Sequence, residues 1–182
     1  MTEATRTEHL LARLEIEALL VRYCRGVDRC DVELMKTCFH PDAIDDHGFF
    51  SGPADVFAEQ AAENLPKRFS STKHFLTNVH LELAGDHARS ESYVLALFRI
   101  DEEGVRSDLT ISARYLDALE RRNGEWRITH RTLVNDETRI DRVDREDVLL
   151  GAASRGGRQN DPSREFLAQL HAPTTIPNGD PT

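Results

Sequence analysis

The feature that most constrains the fold is a change of period near residue 72. From Thr72 to Asp136 four long segments alternate apolar and polar residues, the two-residue repeat of a strand. They cover Thr72–Ala84, Ala88–Ile100, Val105–Glu120 and Trp126–Asp136. Glycine-bearing turns join them at Gly85-Asp86, at Asp101 to Gly104 and at Arg121 to Gly124. Glycine reaches the positive φ that tight hairpin turns require. The pattern predicts an antiparallel meander.

Upstream, the apolar spacing is helical. Leu10, Leu14, Ile16, Leu20, Tyr23 and Val27 mark one helix over Glu8–Val27, which Gly26 weakens near its end. Asp31 caps a second helix, Val32–Phe39, which His40-Pro41-Asp42 breaks. Ala43–Phe50 reads as a short strand, and Pro53 opens a third helix that runs to about Asn64, ahead of Pro66. Helices followed by a meander predict an α+β domain over residues 1–143, with the helices packed on one face of a curved antiparallel sheet. Residues 144–182 read as an extension. It holds a short helix at Asp144–Leu150, a flexible glycine-rich stretch at Gly151–Asn160, a helix opened by Asp161-Pro162, and a disordered end from His171. Its apolar pieces, Val148-Leu149-Leu150 and Phe166-Leu167, suit either a lid over a pocket or an arm against a neighbouring subunit.

Composition narrows the partners. The chain has 182 residues, enough for one sizeable core, and a formal charge of −9. That charge argues against nucleic acid and anionic membrane, both of which need a basic surface. No apolar run approaches the length of a membrane span, and Met1–Leu10 lacks the apolar core of a secretory signal, so the expected location is cytoplasmic. Cys24, Cys30 and Cys38 are odd in number, cluster on predicted helices and form no CxxC. Free buried thiols are expected, with no disulfide framework and no thiolate metal site.

Strand parity assigns faces. On the third strand Val105, Leu109, Ile111, Ala113, Tyr115 and Leu119 share a side. On the fourth, Trp126, Ile128, His130, Thr132 and Val134 share one, which puts His130 inside and Arg127 and Arg131 outside. The first strand is ambiguous: Phe75, Val79, Leu81 and Leu83 are greasier than the row of His74, Leu76, Asn78 and His80. A bulge after Asn78 swaps the faces; otherwise both faces are covered, one by helices and one by another subunit.

Several stretches together resemble a known family. They are Arg22-Tyr23-Cys24-Arg25-Gly26-Val27-Asp28, Phe39-His40-Pro41-Asp42-Ala43, Lys73-His74-Phe75-Leu76-Thr77-Asn78, Ala113-Arg114-Tyr115, Gly124-Glu125-Trp126-Arg127-Ile128, and the tail pieces Ser154-Arg155-Gly156-Gly157 and Asp161-Pro162-Ser163. Over residues 8 to 167 the chain resembles the SnoaL-like branch of the nuclear-transport-factor-like superfamily. The resemblance implies a cone-shaped barrel of α+β class. That superfamily holds scytalone dehydratase, bile-acid dehydratase, hexachlorocyclohexane dehydrochlorinase, steroid isomerase and polyketide cyclases. It also holds non-catalytic small subunits of ring-hydroxylating dioxygenases, so fold alone does not assign activity. Its lyases share a helix-end aspartate and a strand histidine, roles that fall on Asp28 and His74. Tyr23 matches a pocket tyrosine of the bile-acid enzyme. His130 stands where the dehydrochlorinase has an arginine, and His47 near a tyrosine of the dehydratases; both are departures.

The chemistry fits these residue types. A histidine, with its ordinary pKa near neutrality, suits proton removal from carbon beside a carbonyl or leaving group. An aspartate on one ring nitrogen fixes the tautomer and stabilises the imidazolium. The expected catalytic set is His74 as base, Asp28 orienting it, and Tyr23 or His130 polarising the substrate, with His47 a further candidate donor. His47, Leu76, Asn78, Tyr115 and Ile128 are expected to contact substrate. No metal or organic cofactor is required, and Asp45-Asp46-His47 with His40 matches no strong ligand spacing. Each residue also has a plainer reading: a cap for Asp28, a solvent-facing site for His74, core positions for Tyr23 and His130. The expected function is a dehydratase-like lyase or an isomerase acting on a hydrophobic ring-containing small molecule, working as a homodimer or homotrimer. The alternatives are a non-catalytic dioxygenase subunit and a hydrophobic-ligand-binding module.

Overall fold

A computed structural model describes residues 3–143, 158 and 161–171. Contacts divide the chain into two units, Met1–Asp147 and Val148–Thr182. The first unit packs three helices, α1 (Glu3–Arg29), α2 (Val32–Lys36) and α3 (Ala54–Arg68), against a six-stranded sheet. The strands are β1 (Phe39–Asp46), β2 (Ser51–Pro53), β3 (Ser71–Ala84), β4 (His87–Glu102), β5 (Val105–Arg122) and β6 (Glu125–Arg142), ordered β2-β1-β6-β5-β4-β3. This is the α+β cone architecture expected. The sheet differs from expectation in two respects. It is mixed, because β1 runs parallel to β6, and among the described residues it stays open, with β2 and β3 at its edges.

The meander forms as its alternation requires, with strands longer than the pattern suggested because the turns tighten to two residues. Glu103-Gly104 and Asn123-Gly124 both take positive φ at each position (50° and 80°, 54° and 84°), the signature of a type I′ hairpin. The larger surprise is β1. His40-Pro41-Asp42 lies inside the strand, because the β1–β6 register breaks between Phe39 and Ile44. A proline without an N–H is harmless at such an irregularity. Pro66 likewise sits inside α3, near its end, and the helix still closes with Phe69 N–H donating to Leu65 O at 2.9 Å.

The core lies between α1 and the side of the sheet that faces it. Ile16, Leu19, Leu20, Tyr23 and Val27 form the buried stripe of α1 and meet Met35, Phe39, Leu119, Trp126 and Ile128. The end of α1 is fixed by a Schellman motif. Cys30 takes φ +49°, its N–H donates to Val27 O at 3.1 Å, and Asp31 N–H donates to Gly26 O at 2.8 Å. Asp31 then caps α2, accepting from Leu34 N–H at 3.1 Å.

Gly26 belongs to this corner for a steric reason. A Cβ there would stand 2.7 Å from Met35 Cγ and 3.1 Å from Met35 N, and Met35 is fully buried. Gly26→Val is therefore expected to destabilise the fold by about 1–3 kcal/mol through overpacking. Urea denaturation checks this, and a midpoint equal to wild type refutes it.

Three bulges decide which side chains face the core. On β3, Thr77 and Asn78 together oppose one residue of β4, so Leu76 pairs with Val94 and Val79 with Ser92. Thr72, His74 and Leu76 therefore face inward before the bulge, and Val79, Leu81 and Leu83 after it. On β6, Thr129 is the extra residue, since Leu119 pairs with Ile128 and Ala118 with His130. This reverses the predicted placement beyond Ile128: Arg131 is buried and His130 is exposed on the outer face. A third bulge on β6 inserts Asp136.

In the second unit, α4 (Pro162–Ala168) starts as its sequence predicts. Asp161 caps it, accepting from Ser163 N–H at 3.0 Å, and Pro162 occupies the first turn. The expected helix at 144–150, most of the glycine-rich stretch and the chain end fall outside the described residues. No described helix is long and apolar enough to cross a membrane.

Candidate functional site

α1 covers the edge strand β3, and the edge supplies groups for it to satisfy. Arg13 Nη2 donates to Val79 O at 3.2 Å. Further along, Asp28 closes on His74 with both carboxylate oxygens. Oδ2 accepts from the His74 backbone N–H at 3.0 Å, and Oδ1 lies 2.6 Å from ring Nδ1. The Thr72 hydroxyl adds a bond to Asp28 O at 3.4 Å. A carboxylate is acceptor only, so His74 carries a proton on Nδ1, and in the neutral ring the lone pair is then on Nε2. Both side chains are largely shielded from solvent, at 15% exposed for Asp28 and 8% for His74.

His74 opens into a cavity of about 300 Å³. The walls are chiefly apolar: Val27, Leu65, Val94, Ala96, Ile111 and Leu133 are among them. Phe98 meets His74 edge-on with centroids 5.6 Å apart. Gln60, Asn64 and Arg68 add polar groups from one face of α3. Tyr23, Tyr115 and His47 also line the cavity. Of the expected site residues, the structure therefore brings Tyr23, His47, His74 and Tyr115 to one cavity, with Asp28 behind His74.

The others lie elsewhere. His130 is exposed, beside Thr132, because the Thr129 bulge turns it out. Asn78 is exposed at the β3 bulge. Ile128 is fully buried in the core, and Leu76 packs against the core rather than lining the cavity. His40 is buried with Nε2 3.0 Å from Glu120 O. Among the described residues no group of three or more His, Cys, Asp or Glu side chains is arranged to hold a metal.

Behind the two tyrosines sits a buried cation that sequence reasoning placed outside. Arg131 is fully buried and bidentate to Asp117, with Nε–Oδ1 2.7 Å and Nη2–Oδ2 2.8 Å. Its guanidinium carbon stands 4.1 Å from the Tyr23 ring centre and 4.0 Å from that of Tyr115. Burial opposes the charge, but Asp117 overrules it and holds the guanidinium above its ordinary range. Burial pushes the Tyr23 phenol well up, as does the charge of Asp45, against a partial offset from Arg131. Tyr115 is raised too, by burial and then by Tyr23. Both tyrosines therefore stay protonated and can donate a hydrogen bond to a substrate oxygen, but cannot serve as bases near neutrality. The cysteines are free; burial pushes the Cys24 thiol up to about 12 and raises Cys38 as well, so neither is poised as a nucleophile.

No curated protein matches the chain. Solved structures do. A presumed scytalone dehydratase from Novosphingobium aromaticivorans is 23% identical over 80% of this chain and 97% of that one, with a TM-score of 0.65. A type 2 hexachlorocyclohexane dehydrochlorinase is 23% identical over 80% of this chain and 99% of that one, with a TM-score of 0.70. A presumed aromatic ring hydroxylase from Novosphingobium aromaticivorans is 24% identical over 72% and 92%, with a TM-score of 0.62. At such identities these likenesses speak to the fold. Membership follows from the sequence itself: the model of the SnoaL-like domain matches residues 8–132, and the chain belongs to the SnoaL-like family.

Proposed function

We propose that the chain is a cofactor-independent lyase or isomerase that removes a proton from carbon on a hydrophobic, ring-containing small molecule, with dehydration the favoured reaction. The observation that carries this is the Asp28–His74 pair, 2.6 Å apart and facing an apolar cavity of about 300 Å³. His74 Nε2 is the base, Asp28 fixes its tautomer and balances the imidazolium that forms, and Tyr23 donates to the oxygen on which charge develops. The dehydratase and dehydrochlorinase among the structural neighbours favour the same class. A homo-oligomer suits the outer sheet face, where Phe75, Tyr93, Leu95 and Leu116 are exposed.

Proton removal can be tested before the natural substrate is known. A bicyclic ketone of suitable size, tetralone, is incubated in D₂O, and its α-hydrogens are followed by NMR. The expected result is enzyme-dependent exchange, together with release of a naphthol from β-hydroxytetralone. Exchange at the uncatalysed rate sinks the reading. The likeness to a presumed ring hydroxylase then favours a non-catalytic oxygenase subunit, which co-purification with a larger iron-bearing chain checks.

A further inference from the structure

The cavity carries a second histidine–carboxylate pair, made by the hairpin of β1 and β2. His47 N–H donates to Phe50 O at 2.8 Å, and Gly48 takes φ +76° in the turn. The His47 ring stacks on Phe57, centroids 4.0 Å apart and planes 20° from parallel, which fixes its orientation in the cavity wall. Its Nε2 lies 3.0 Å from Oδ1 of Asp45, whose side chain is wholly buried. The approach is out of line for a hydrogen bond, and neither Asp45 oxygen has a hydrogen-bond partner among the described residues.

No hydrogen bond ties that carboxylate to the fold among the described residues. Arg131, its register neighbour on β6, directs Nε and Nη2 to Asp117 instead. A buried carboxylate left without a hydrogen bond is costly, and a purely structural position has no reason to retain one. The pair also mirrors the first one. His74 turns Nδ1 to its carboxylate and leaves Nε2; His47 turns Nε2 to its carboxylate and leaves Nδ1. Dehydration and isomerisation each need a proton taken at one place and given at another.

We propose that His47 is the acid of the reaction and Asp45 its positioning residue. This rests on the reading of His74 as base. In dehydration, His74 Nε2 takes the proton from carbon, and the C–H electron pair becomes the new double bond. The C–O pair leaves with the oxygen, which takes the proton from His47 Nδ1 and departs as water. His74 ends one proton richer and His47 one poorer, and exchange with solvent resets both. To give up the Nδ1 proton and end as a neutral imidazole, the ring must enter the step as imidazolium, with its other proton on Nε2 and the Asp45 carboxylate 3.0 Å away as counter-ion. In isomerisation the same proton goes to the distal carbon.

Leaving-group dependence tests this. β-Hydroxytetralone and its acetate ester lose water and acetic acid respectively to give the same naphthol, and acetate departs without prior protonation. His47→Gln is expected to slow the hydroxy probe on the order of 10²–10⁴-fold. The acetoxy probe should slow at least tenfold less, with Asp45→Asn showing the same selectivity and His74→Gln slowing both probes alike. Equal slowing of both probes in the His47 and Asp45 variants, or no slowing, overturns the assignment. Tetralone exchange separates the layers. Wild type that exchanges but never eliminates defeats the proposed acid alone, whereas wild type that does not exchange defeats the base reading and this proposal with it.

Discussion

Asp28→Asn is expected to lower turnover on the order of 10²–10⁴-fold while leaving the fold intact. The carboxylate satisfies two donors at once, the His74 backbone N–H and ring Nδ1–H. An amide cannot. With its oxygen toward the backbone, its NH₂ faces Nδ1, which must then accept, so the ring proton moves to Nε2 and the cavity-facing lone pair is lost. With the amide turned the other way, its NH₂ meets the backbone N–H, donor against donor. His74→Gln removes the base itself. Because the two residues act as a unit, the double variant should be about as slow as the worse single one. Steady-state rates for naphthol release measure all three. Multiplicative losses, or an Asp28→Asn enzyme within tenfold of wild type, exclude the pair as the catalytic base.

Much of this site was legible in the sequence, and the limits have a common cause. The stripe of α1 and the alternation from Thr72 onward located Asp28 at a helix end and His74 near a strand start. Period and turn chemistry are local properties, and the chain carries them openly. Faces are not local, because one inserted residue inverts every side chain beyond it. The bulge near Asn78 could be entertained because apolar residues switch parity there. The bulge at Thr129 gives no such sign, since His130 and Arg131 are both polar, and the assignment followed parity to the wrong one. A clue lay on the neighbouring strand. Asp117 interrupts the apolar row of Ala113, Tyr115 and Leu119, and a carboxylate on a buried row calls for a cation opposite it. Asp45 escaped for a different reason: its strand was expected over Ala43–Phe50, but Asp45, Asp46 and His47 are three polar residues in a row, with no alternation to show which of them turns inward.

That buried cation supports the second large expectation. Arg131→Met should destabilise the fold by about 3–5 kcal/mol, because it strands Asp117 in the core without its partner. A domain of this kind has only about 5–15 kcal/mol to lose. The variant also forfeits the cation–π contacts of the guanidinium with Tyr23 and Tyr115, rings that help wall the cavity. Replacing both ions, as Arg131→Met with Asp117→Leu, should recover most of the loss, since well-packed apolar groups often substitute for a buried pair at little cost. The recovery should fall short of complete. Asp45 stands beside Arg131 in register on the other side, and without the cation its buried charge has only His47 near it. Adding Asp45→Asn to the double variant should therefore raise the urea midpoint again. If Arg131→Met alone costs under about 1 kcal/mol, or the double variant is no better than the single, the guanidinium is not what holds these carboxylates in the core.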